Sequence, residues 1–368
     1  MIIYLSLRKY KSLYLLKQTP YNIEGVRLSP DIDTDLKLAL SKVHADKIFF
    51  LFDENTFKYC KPLIGIPEIN KSNCLIISSG EENKNLDQVR LVWDFFEEKG
   101  AGRNSVLVNV GGGMLTDLGG FAACTFKRGM SFINIPTTLL AMVDASVGGK
   151  TGINYNGLKN EIGIIKQPNE VLIHAPFLKS LDQENFISGF AEMLKAGLIK
   201  DVILWNKLVD YNLNERSLDK LVPLIWKSVL IKKDIVDIDP EEKLDRRALN
   251  FGHTFAHAFE SLSLSRKDHL HHGYAVAYGM IFESLISQQV LNLKVEETRR
   301  IDQVLREIYG SIPFTVNDIN QLTTFMKSDK KNDNSSINIT MLETIGKYRV
   351  NNYVDEELIV DILKNVLA

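Results

Sequence analysis

The sequence of 368 residues predicts an α/β N-terminal dinucleotide-binding domain with a parallel sheet over residues 1–178, followed by a mostly α-helical domain over residues 179–368. The chain is long enough for two substantial hydrophobic cores. Short apolar runs alternate with helical patterns in the first half, which is typical of a parallel sheet with helices on both faces. Segments with a 3.6-residue periodicity and few strand signals fill the second half.

Five short runs of apolar, β-branched or aromatic residues predict the strands of the sheet. They cover residues 47–52, 74–77, 105–110, 132–135 and 171–173. The clearest helix between them covers residues 86–99, whose apolar face consists of Leu86, Val89, Val92, Trp93 and Phe96.

Helical periodicity dominates the second half of the chain. The predicted helices cover residues 184–198, 218–238, 246–262, 273–291 and 295–309. We expect a strand pair at residues 337–342 and 348–353, then a closing helix at residues 355–366. A polar loop is expected at residues 327–336.

Net charge and cysteine usage exclude several classes of protein. A formal net charge of −2 gives no overall attraction for nucleic acid or an anionic membrane, so phosphate recognition must be local. Cys60, Cys74 and Cys124 are widely spaced and lack a CxxC motif, which argues against a disulfide framework. No apolar run reaches membrane-spanning length, and residues 1–20 lack the pattern of a signal peptide. We therefore expect a protein of the reducing cytoplasm.

The glycine-rich stretch at residues 111–120 directly follows a predicted strand and leads into a helix. Glycines at such a turn let backbone N–H groups approach a pyrophosphate at the helix N-terminus. The strict GxGxxG pattern fails at Thr116, so a plain strand-to-helix turn is the alternative.

Glycines, hydroxyls and amines recur at residues 127–129, 136–138, 144–152 and 157–160, which favours local phosphate binding. The GGKT sequence within the third of these stretches lacks the first glycine of a P-loop at the required spacing. ATP binding is therefore not favoured.

Residues 246–260 place His253 and His257 four residues apart on a segment with helical periodicity. On one continuous helix, Arg246, Asn250 and the two histidines would form a polar stripe beside an apolar one. Five of the seven histidines fall between residues 253 and 272, and histidines that converge usually bind a ligand.

Glu192 and Lys195 lie one turn apart in an otherwise apolar helix. A buried acid is costly unless it is paired or coordinates a metal. Two histidines and one carboxylate with an open fourth position are a ligand set of catalytic zinc, so Glu192 is the candidate carboxylate. The alternative is a buried Glu192–Lys195 ion pair, and the residues alone leave this choice open.

Eight ordered blocks together resemble the 3-dehydroquinate synthases of the sugar phosphate cyclase superfamily. The resemblance covers roughly residues 47–350, and its blocks lie at residues 80–84, 111–117, 136–150, 159–163, 191–195, 246–257, 272–277 and 329–331. It implies a carbon–oxygen lyase acting on phosphates, dependent on NAD and on Zn²⁺ or Co²⁺.

By this resemblance Glu192, His253 and His272 would hold the metal. His257 and Glu242 would handle protons, and His269 and His271 would be solvent-facing loop residues. Tyr274 stands where the family usually has a glutamate, so we expect a carboxylate beside the metal ligands to be absent.

The resemblance also implies the residues that contact the cofactor and the substrate. NAD would contact Asp53, Asn55, Glu81, Lys84, Gly112, Gly113, Met114, Asp117, Thr137, Thr138, Lys159, Phe177, Leu178 and Ser180. The sugar phosphate would contact Arg128, Asp144, Lys150, Asn160, Lys195, Lys232, Arg246, Asn250, His272 and Lys330. Lys150, Lys195, Arg246 and Asn250 would also take part in catalysis, together with His257 and Glu242. Arg128 would act across the interface of a homodimer.

The implied reaction converts 3-deoxy-D-arabino-heptulosonate 7-phosphate to 3-dehydroquinate and phosphate by transient oxidation, elimination, re-reduction and aldol closure. Three alternatives stay open. These are a related cyclase acting on glucose 6-phosphate or sedoheptulose 7-phosphate, a metal-dependent alcohol or glycerol dehydrogenase of the same architecture, and a non-catalytic NAD-binding protein. Arg246 and Asn250 favour a substrate that carries a carboxylate.

Overall fold

The computed structural model describes residues 21–156, 158–268, 270–328 and 336–368. It divides into two compact units, Met1–Asp182 and Gln183–Ala368. A mainly parallel sheet characterises the first unit and α-helices characterise the second, which confirms the predicted fold class.

The strands of the first unit include all five that the apolar runs predict, to within one residue at either end. They are β1 (Asn22–Ile23), β2 (Val26–Leu28), β3 (Ile48–Asp53), β4 (Cys74–Ile77), β5 (Val106–Gly111), β6 (Ser131–Pro136), β7 (Lys150–Tyr155), β8 (Leu158–Ile165) and β9 (Glu170–Ile173). Within the described residues, seven of them form one sheet in the order β1-β2-β9-β6-β5-β3-β4. Every neighbouring pair in this sheet is parallel except β1 and β2.

The helices of the first unit are α1 (Ile32–Val43), α2 (Glu54–Tyr59), α3 (Leu86–Glu98) and α4 (Gly113–Thr125). Helix α3 begins where the side chain of Asn85 accepts a hydrogen bond from the backbone N–H of Gln88 at 3.1 Å. Its residues Val89, Val92 and Phe96 are fully buried in the core against the sheet. Burial of each side chain contributes about 1.5–3 kcal/mol.

The antiparallel hairpin of β7 and β8 is a feature that the sequence analysis missed. Its strands mix glycines and polar residues, and part of β7 falls in the stretch interpreted as a phosphate-binding loop. A side chain on Gly152 would lie 2.7 Å from the carbonyl oxygen of Ile162, so glycine allows the two backbones to approach closely.

The second unit contains the predicted helices with one exception, the helix over residues 246–262, and the strand pair that precedes its last helix is also confirmed. Its elements are α5 (Gln183–Lys200), α6 (Val202–Val209), α7 (Leu218–Ile238), α8 (His253–Ser265), α9 (His272–Leu291), α10 (Val295–Tyr309), α11 (Ile319–Ser328), the antiparallel strands β10 (Ser336–Thr344) and β11 (Lys347–Asp355), and α12 (Glu356–Leu367).

The prediction of one helix over residues 246–262 is wrong. A short 3₁₀ helix, Asp245–Asn250, is followed by Gly252 in the left-handed region with φ of 85°, and α8 begins only at His253. Arg246 and Asn250 therefore lie on a different element from His253, and the four polar residues do not form one helical stripe.

None of the described helices combines the length and the apolar character needed to span a membrane. Cys60, Cys74 and Cys124 are free thiols, as the sequence predicts.

Candidate active site

Glu192, His253 and His272 converge in the second unit, on α5, α8 and α9. One ligand atom from each lies within 4.8 Å of the others. Glu192 Oε1 is 3.8 Å from His253 Nε2 and 3.6 Å from His272 Nε2. A tetrahedral ion with bonds of about 2.0–2.1 Å separates its ligand atoms by about 3.3–3.4 Å. The two distances from Glu192 are within about 0.5 Å of this spacing, so the three side chains are close enough to converge on one cation.

The donor chemistry of this group also fits a divalent metal. Glu192 is 3% exposed, and neither of its buried oxygens accepts a hydrogen bond of good geometry from the described residues. Lys195 Nζ, one turn along α5, makes an ion pair with Glu192 Oε2. The ion pair considered as an alternative to a metal is thus present, yet Oε1 still faces the two histidines. A buried carboxylate and two imidazoles are a typical ligand set of catalytic zinc.

A carboxylate lies beside His272, contrary to the expectation drawn from Tyr274. Glu260 Oε1, on α8, is 3.2 Å from His272 Nδ1. Burial lowers the pKa of His272, but Glu260 and then Glu192 outweigh this effect and raise the pKa to about 10. Tyr274 instead packs edge-on against the ring of Tyr309, with ring centroids 5.2 Å apart.

The start of α8 is held by a second carboxylate that the sequence analysis did not single out. Glu283, on α9, is fully buried and accepts hydrogen bonds from the backbone N–H groups of Gly252 at 2.7 Å and Thr254 at 3.2 Å. These two residues flank His253, so Glu283 fixes the turn that orients this candidate ligand.

The sequence did contain a signal for Glu260. His253, His257 and Glu260 are spaced i, i+4 and i+7, which places them on one face of α8. The ring centroids of His253 and His257 are 5.6 Å apart. No comparable local signal exists for Glu283, because its two partners are about thirty positions away in the sequence.

Glu242, Arg246 and Asn250 of the second unit lie on the 3₁₀ helix or in the loop that leads into it. Asn250 Nδ2 donates a hydrogen bond to Glu242 Oε1 at 2.7 Å. Arg246 is buried, and its Nη1 donates to the carbonyl oxygen of Pro240 at 2.6 Å. Lys232 is buried on α7. Lys330 lies outside the described residues.

Burial raises the pKa of Asp239, but backbone N–H groups of Leu244, Lys243 and Arg246 donate hydrogen bonds to it and lower the pKa overall. This carboxylate therefore stays ionised and organises the loop that leads into the 3₁₀ helix.

The glycine-rich turn of the first unit lies where the sequence predicts it, between β5 and α4. Gly112 caps α4 without a side-chain hydrogen bond. A Cβ on Gly112 would lie 3.0 Å from Thr138 Cγ2, and one on Gly113 would lie 3.1 Å from Ala145 Cβ. A tightly packed helix N-terminus whose backbone N–H groups have no side-chain cap fits a pyrophosphate. Met114 lies in the same first turn of α4.

Lys84 contacts both Asp117, a predicted NAD-binding residue, and Asn160, a predicted substrate-binding residue. Its buried Nζ is 2.6 Å from Asp117 Oδ2 and also contacts Asn160 Oδ1. Asn154 donates to Glu81 Oε1 at 3.0 Å and accepts a hydrogen bond from the backbone N–H of Asn160 at 2.9 Å. The predicted cofactor residues Glu81, Lys84 and Asp117 thus form one network with Asn160 of β8.

The other predicted residues of the first unit are spread over several elements. Asp53 is the N-cap of α2 and accepts a hydrogen bond from the backbone N–H of Thr56 at 2.8 Å. Burial is the main cause of its raised pKa. Asn55 lies in α2, Arg128 ends the 3₁₀ helix Phe126–Arg128, and Thr137 and Thr138 directly follow β6. Asp144 lies in the π-helix Ala141–Ala145, Lys150 begins β7, and Lys159 lies in β8. Phe177, Leu178 and Ser180 lie in the 3₁₀ helix Ala175–Ser180.

The fold is that of the sugar phosphate cyclases. A 2-epi-5-epi-valiolone synthase from Streptomyces hygroscopicus subsp. jinggangensis, solved with NAD⁺ and Zn²⁺, has a TM-score of 0.82 at 24% identity. The match covers 95% of this chain and 97% of that one. A 2-deoxy-scyllo-inosose synthase, solved with carbaglucose-6-phosphate, NAD⁺ and Co²⁺, has a TM-score of 0.77 at 23% identity and covers 92% and 95% of the two chains.

Sequence comparison identifies the family within this class of proteins. Residues 74–188 match the family model of the 3-dehydroquinate synthase N-terminal region, and residues 189–332 match that of the C-terminal region. A 3-dehydroquinate synthase from Parabacteroides distasonis is 42% identical over 341 residues, which is 92% of this chain and 97% of that protein. The chain belongs to the 3-dehydroquinate synthase family.

Proposed function

We propose that this protein converts 3-deoxy-D-arabino-heptulosonate 7-phosphate to 3-dehydroquinate and inorganic phosphate, a step of the shikimate pathway. The observation that carries the proposal is the convergence of Glu192, His253 and His272 within 4.8 Å. Membership of the 3-dehydroquinate synthase family supports the same reaction.

The cofactors proposed are NAD and Zn²⁺ or Co²⁺. Glu192, His253 and His272 would hold the metal, and the turn at Gly112 and Gly113 would take the pyrophosphate of NAD. When bound, NAD supplies a reversible acceptor for one hydride, and the metal supplies Lewis-acid polarisation of a substrate hydroxyl. The structural relatives solved with NAD⁺ and Zn²⁺ or Co²⁺ support this pairing.

The proposed substrate carries a carboxylate and a phosphate, and the chain supplies cations to bind both. Lys195, Lys232 and Arg246 are buried cations of the second unit, and a desolvated cation binds an anion through strong charge-assisted hydrogen bonds. The side-chain amide of Asn250 donates a hydrogen bond to Glu242 and would orient the carboxylate of Glu242. Holding an acyclic substrate in a folded conformation favours ring closure by proximity.

Glu242 and His257 are the proposed proton carriers. Asn250 Nδ2 donates a hydrogen bond to Glu242 Oε1 at 2.7 Å, and this contact would orient the Glu242 carboxylate to accept a proton from substrate. His257 lies one turn beyond His253 on α8, so it would remain beside the metal site without occupying a ligand position.

We also propose a cytoplasmic homodimer in which Arg128 of one subunit contacts the substrate phosphate of the other. Arg128 ends its 3₁₀ helix with φ of 70°. Three free cysteines are consistent with a reducing compartment.

The decisive assay supplies the purified protein with NAD, zinc and the heptulosonate phosphate. We expect release of inorganic phosphate with no net formation of NADH, loss of activity after chelation, and recovery with Zn²⁺ or Co²⁺. Glucose 6-phosphate and sedoheptulose 7-phosphate, tested in parallel, should release no phosphate. Accumulation of NADH would indicate a dehydrogenase instead, and turnover of a sugar phosphate that lacks a carboxylate would indicate a related cyclase.

A further inference from the structure

We propose that Glu260 is a positioning residue that fixes the imidazole of His272 so that Nε2 is the nitrogen offered to a metal ion. The inference rests on the proposed metal site and concerns a residue outside its ligand set. Glu260 Oε1 lies 3.2 Å from His272 Nδ1, while Nε2 of the same ring lies 3.6 Å from Glu192 Oε1.

The two ring nitrogens of His272 therefore face two different carboxylates. An imidazole that donates Nδ1–H to a carboxylate keeps the lone pair of Nε2 for a metal. Glu260 contacts Nδ1 whereas Glu192 Oε1 faces Nε2, so Glu260 is placed to hold the ring through the nitrogen that does not face the candidate metal site.

Burial of the Glu260 carboxylate makes this contact more effective than a surface contact of equal length. The side chains of Glu260 and Glu192 are 6% and 2% exposed, and that of His272 is 29% exposed. Hydrogen bonds to an ionised group are strengthened when water is excluded. The pair formed by His271 Nε2 and Glu184 Oε2 has the same length of 3.2 Å, but the side chain of Glu184 is 73% exposed. Such exposed pairs contribute little.

The position of His272 explains why its ring needs support. His272 is the first residue of α9, and the preceding N-cap residue, His271, makes no side-chain capping hydrogen bond. Residues at helix ends are held by fewer backbone hydrogen bonds than residues in the interior. Glu260, in the interior of α8, supplies a fixed point of attachment.

The test compares Glu260→Gln and Glu260→Ala with the control Glu184→Gln, which makes the same chemical change beside His271. Zinc affinity is measured by competition with a chromophoric chelator, and ligand geometry is followed in the visible spectrum of the Co²⁺ form. We expect roughly 10–100-fold weaker zinc binding in both Glu260 variants, larger for alanine, together with an altered Co²⁺ spectrum. The control should remain within about twofold of the wild type and keep its spectrum.

A folded Glu260 variant with the zinc affinity and Co²⁺ spectrum of the wild type would overturn the positioning role. A second measurement uses the wild-type zinc form and does not depend on variant folding. Histidine ¹⁵N chemical shifts should show His272 protonated at Nδ1 and coordinated through Nε2, and coordination through Nδ1 would overturn the proposal. If the wild type bound no zinc, the proposed function itself would fail, so the two failures are distinguishable.

Discussion

The carboxylate of Glu283 accepts a hydrogen bond from the backbone N–H of Gly252 at 2.7 Å, across an interval of 31 residues. A second oxygen of the same group accepts from Thr254 N at 3.2 Å. This side chain caps α8, which begins with the candidate metal ligand His253, and it does so from α9, which begins with the candidate ligand His272. The geometry of the candidate metal site therefore depends on a carboxylate outside the candidate ligand set.

Replacement of Glu283 by alanine should destabilise the protein. The change leaves two buried N–H groups without their acceptor, which costs roughly 2–5 kcal/mol of unfolding free energy. Chemical denaturation measures the loss. Gln289→Ala, on the exposed side of the same helix, should change stability by less than about 0.5 kcal/mol. Equal stability of the two variants would contradict the capping role.

Gly252→Ala should weaken zinc binding as well as stability. Its φ of 85° costs an L-residue about 1 kcal/mol, and the new Cβ would lie 2.7 Å from Met280 Cγ and 2.8 Å from the Val276 carbonyl oxygen. Relief of this clash must move the start of α8 and with it His253.

Gly310→Ala is the matched control for Gly252→Ala. Gly310 has a φ of 76°, and a Cβ added there would meet no atom of the described residues within 4 Å, so only the conformational cost applies. We expect a loss of about 1 kcal/mol with unchanged zinc affinity, measured by denaturation and chelator competition. Similar zinc affinities in both alanine variants would show that the clash at Gly252 does not displace His253.

The metal-free protein should lose stability as the pH rises from about 6.5 to about 10. The pKa of His272 is raised to about 10 in the fold, against 6.5 for the free side chain. Its stabilising contribution is therefore fully present below pH 6.5 and is lost as the pH passes through the folded pKa. Denaturation of the chelated protein at several pH values, compared with His272→Gln, measures this difference. If the unfolding free energies of the wild type and of His272→Gln changed in parallel with pH, the pH dependence would not come from His272.

Lys195→Ala should lower kcat/KM roughly 10²–10³-fold if this ammonium binds the substrate anion. Its Nζ is buried and contacts Glu192, so removal also leaves that carboxylate without its cation. Lys200→Ala is the control, because Lys200 ends the same helix with a side chain that is 40% exposed. Phosphate release by the two variants is measured at saturating zinc. A loss in Lys195→Ala but not in Lys200→Ala would show that the effect comes from the Lys195 ammonium and not from a general disturbance of α5.

Asp117→Ala should weaken NAD binding and reduce stability. Lys84 is 3% exposed and would lose its carboxylate partner at 2.6 Å, although its contact with Asn160 remains. We expect a loss of about 2–4 kcal/mol in unfolding free energy and at least roughly a tenfold rise in the Kd for NAD. Asp87→Ala, which removes an exposed carboxylate 3.7 Å from Arg90, should alter neither quantity measurably.

The sequence predicted the central strands well because each is a short run in which most residues are apolar. Val106–Gly111 has the same buried environment along its whole length, so its composition alone identifies a strand. The hairpin of β7 and β8 was missed because its exposed residues and glycines follow no apolar pattern.

The site was predictable where its residues occur in characteristic local blocks, and not where distant side chains decide the geometry. His253 and Glu192 could be proposed from the sequence, whereas the break at Gly252 depends on Glu283 and could not. The carboxylate beside His272 was expected to be absent because Tyr274 replaces the usual glutamate, although the spacing of Glu260 after His253 and His257 indicated a carboxylate on the same face of α8. It is supplied by Glu260, from the helix before, and not from the position that Tyr274 occupies.

The three candidate metal ligands stand at residues 192, 253 and 272, each on a separate helix. A newly synthesised chain offers at most a pair of these donors close together until α5, α8 and α9 have packed. An ion held by these three residues would therefore be acquired late in maturation, after tertiary packing. Selection among competing cations would accordingly be made by a folded cavity and not by a flexible peptide.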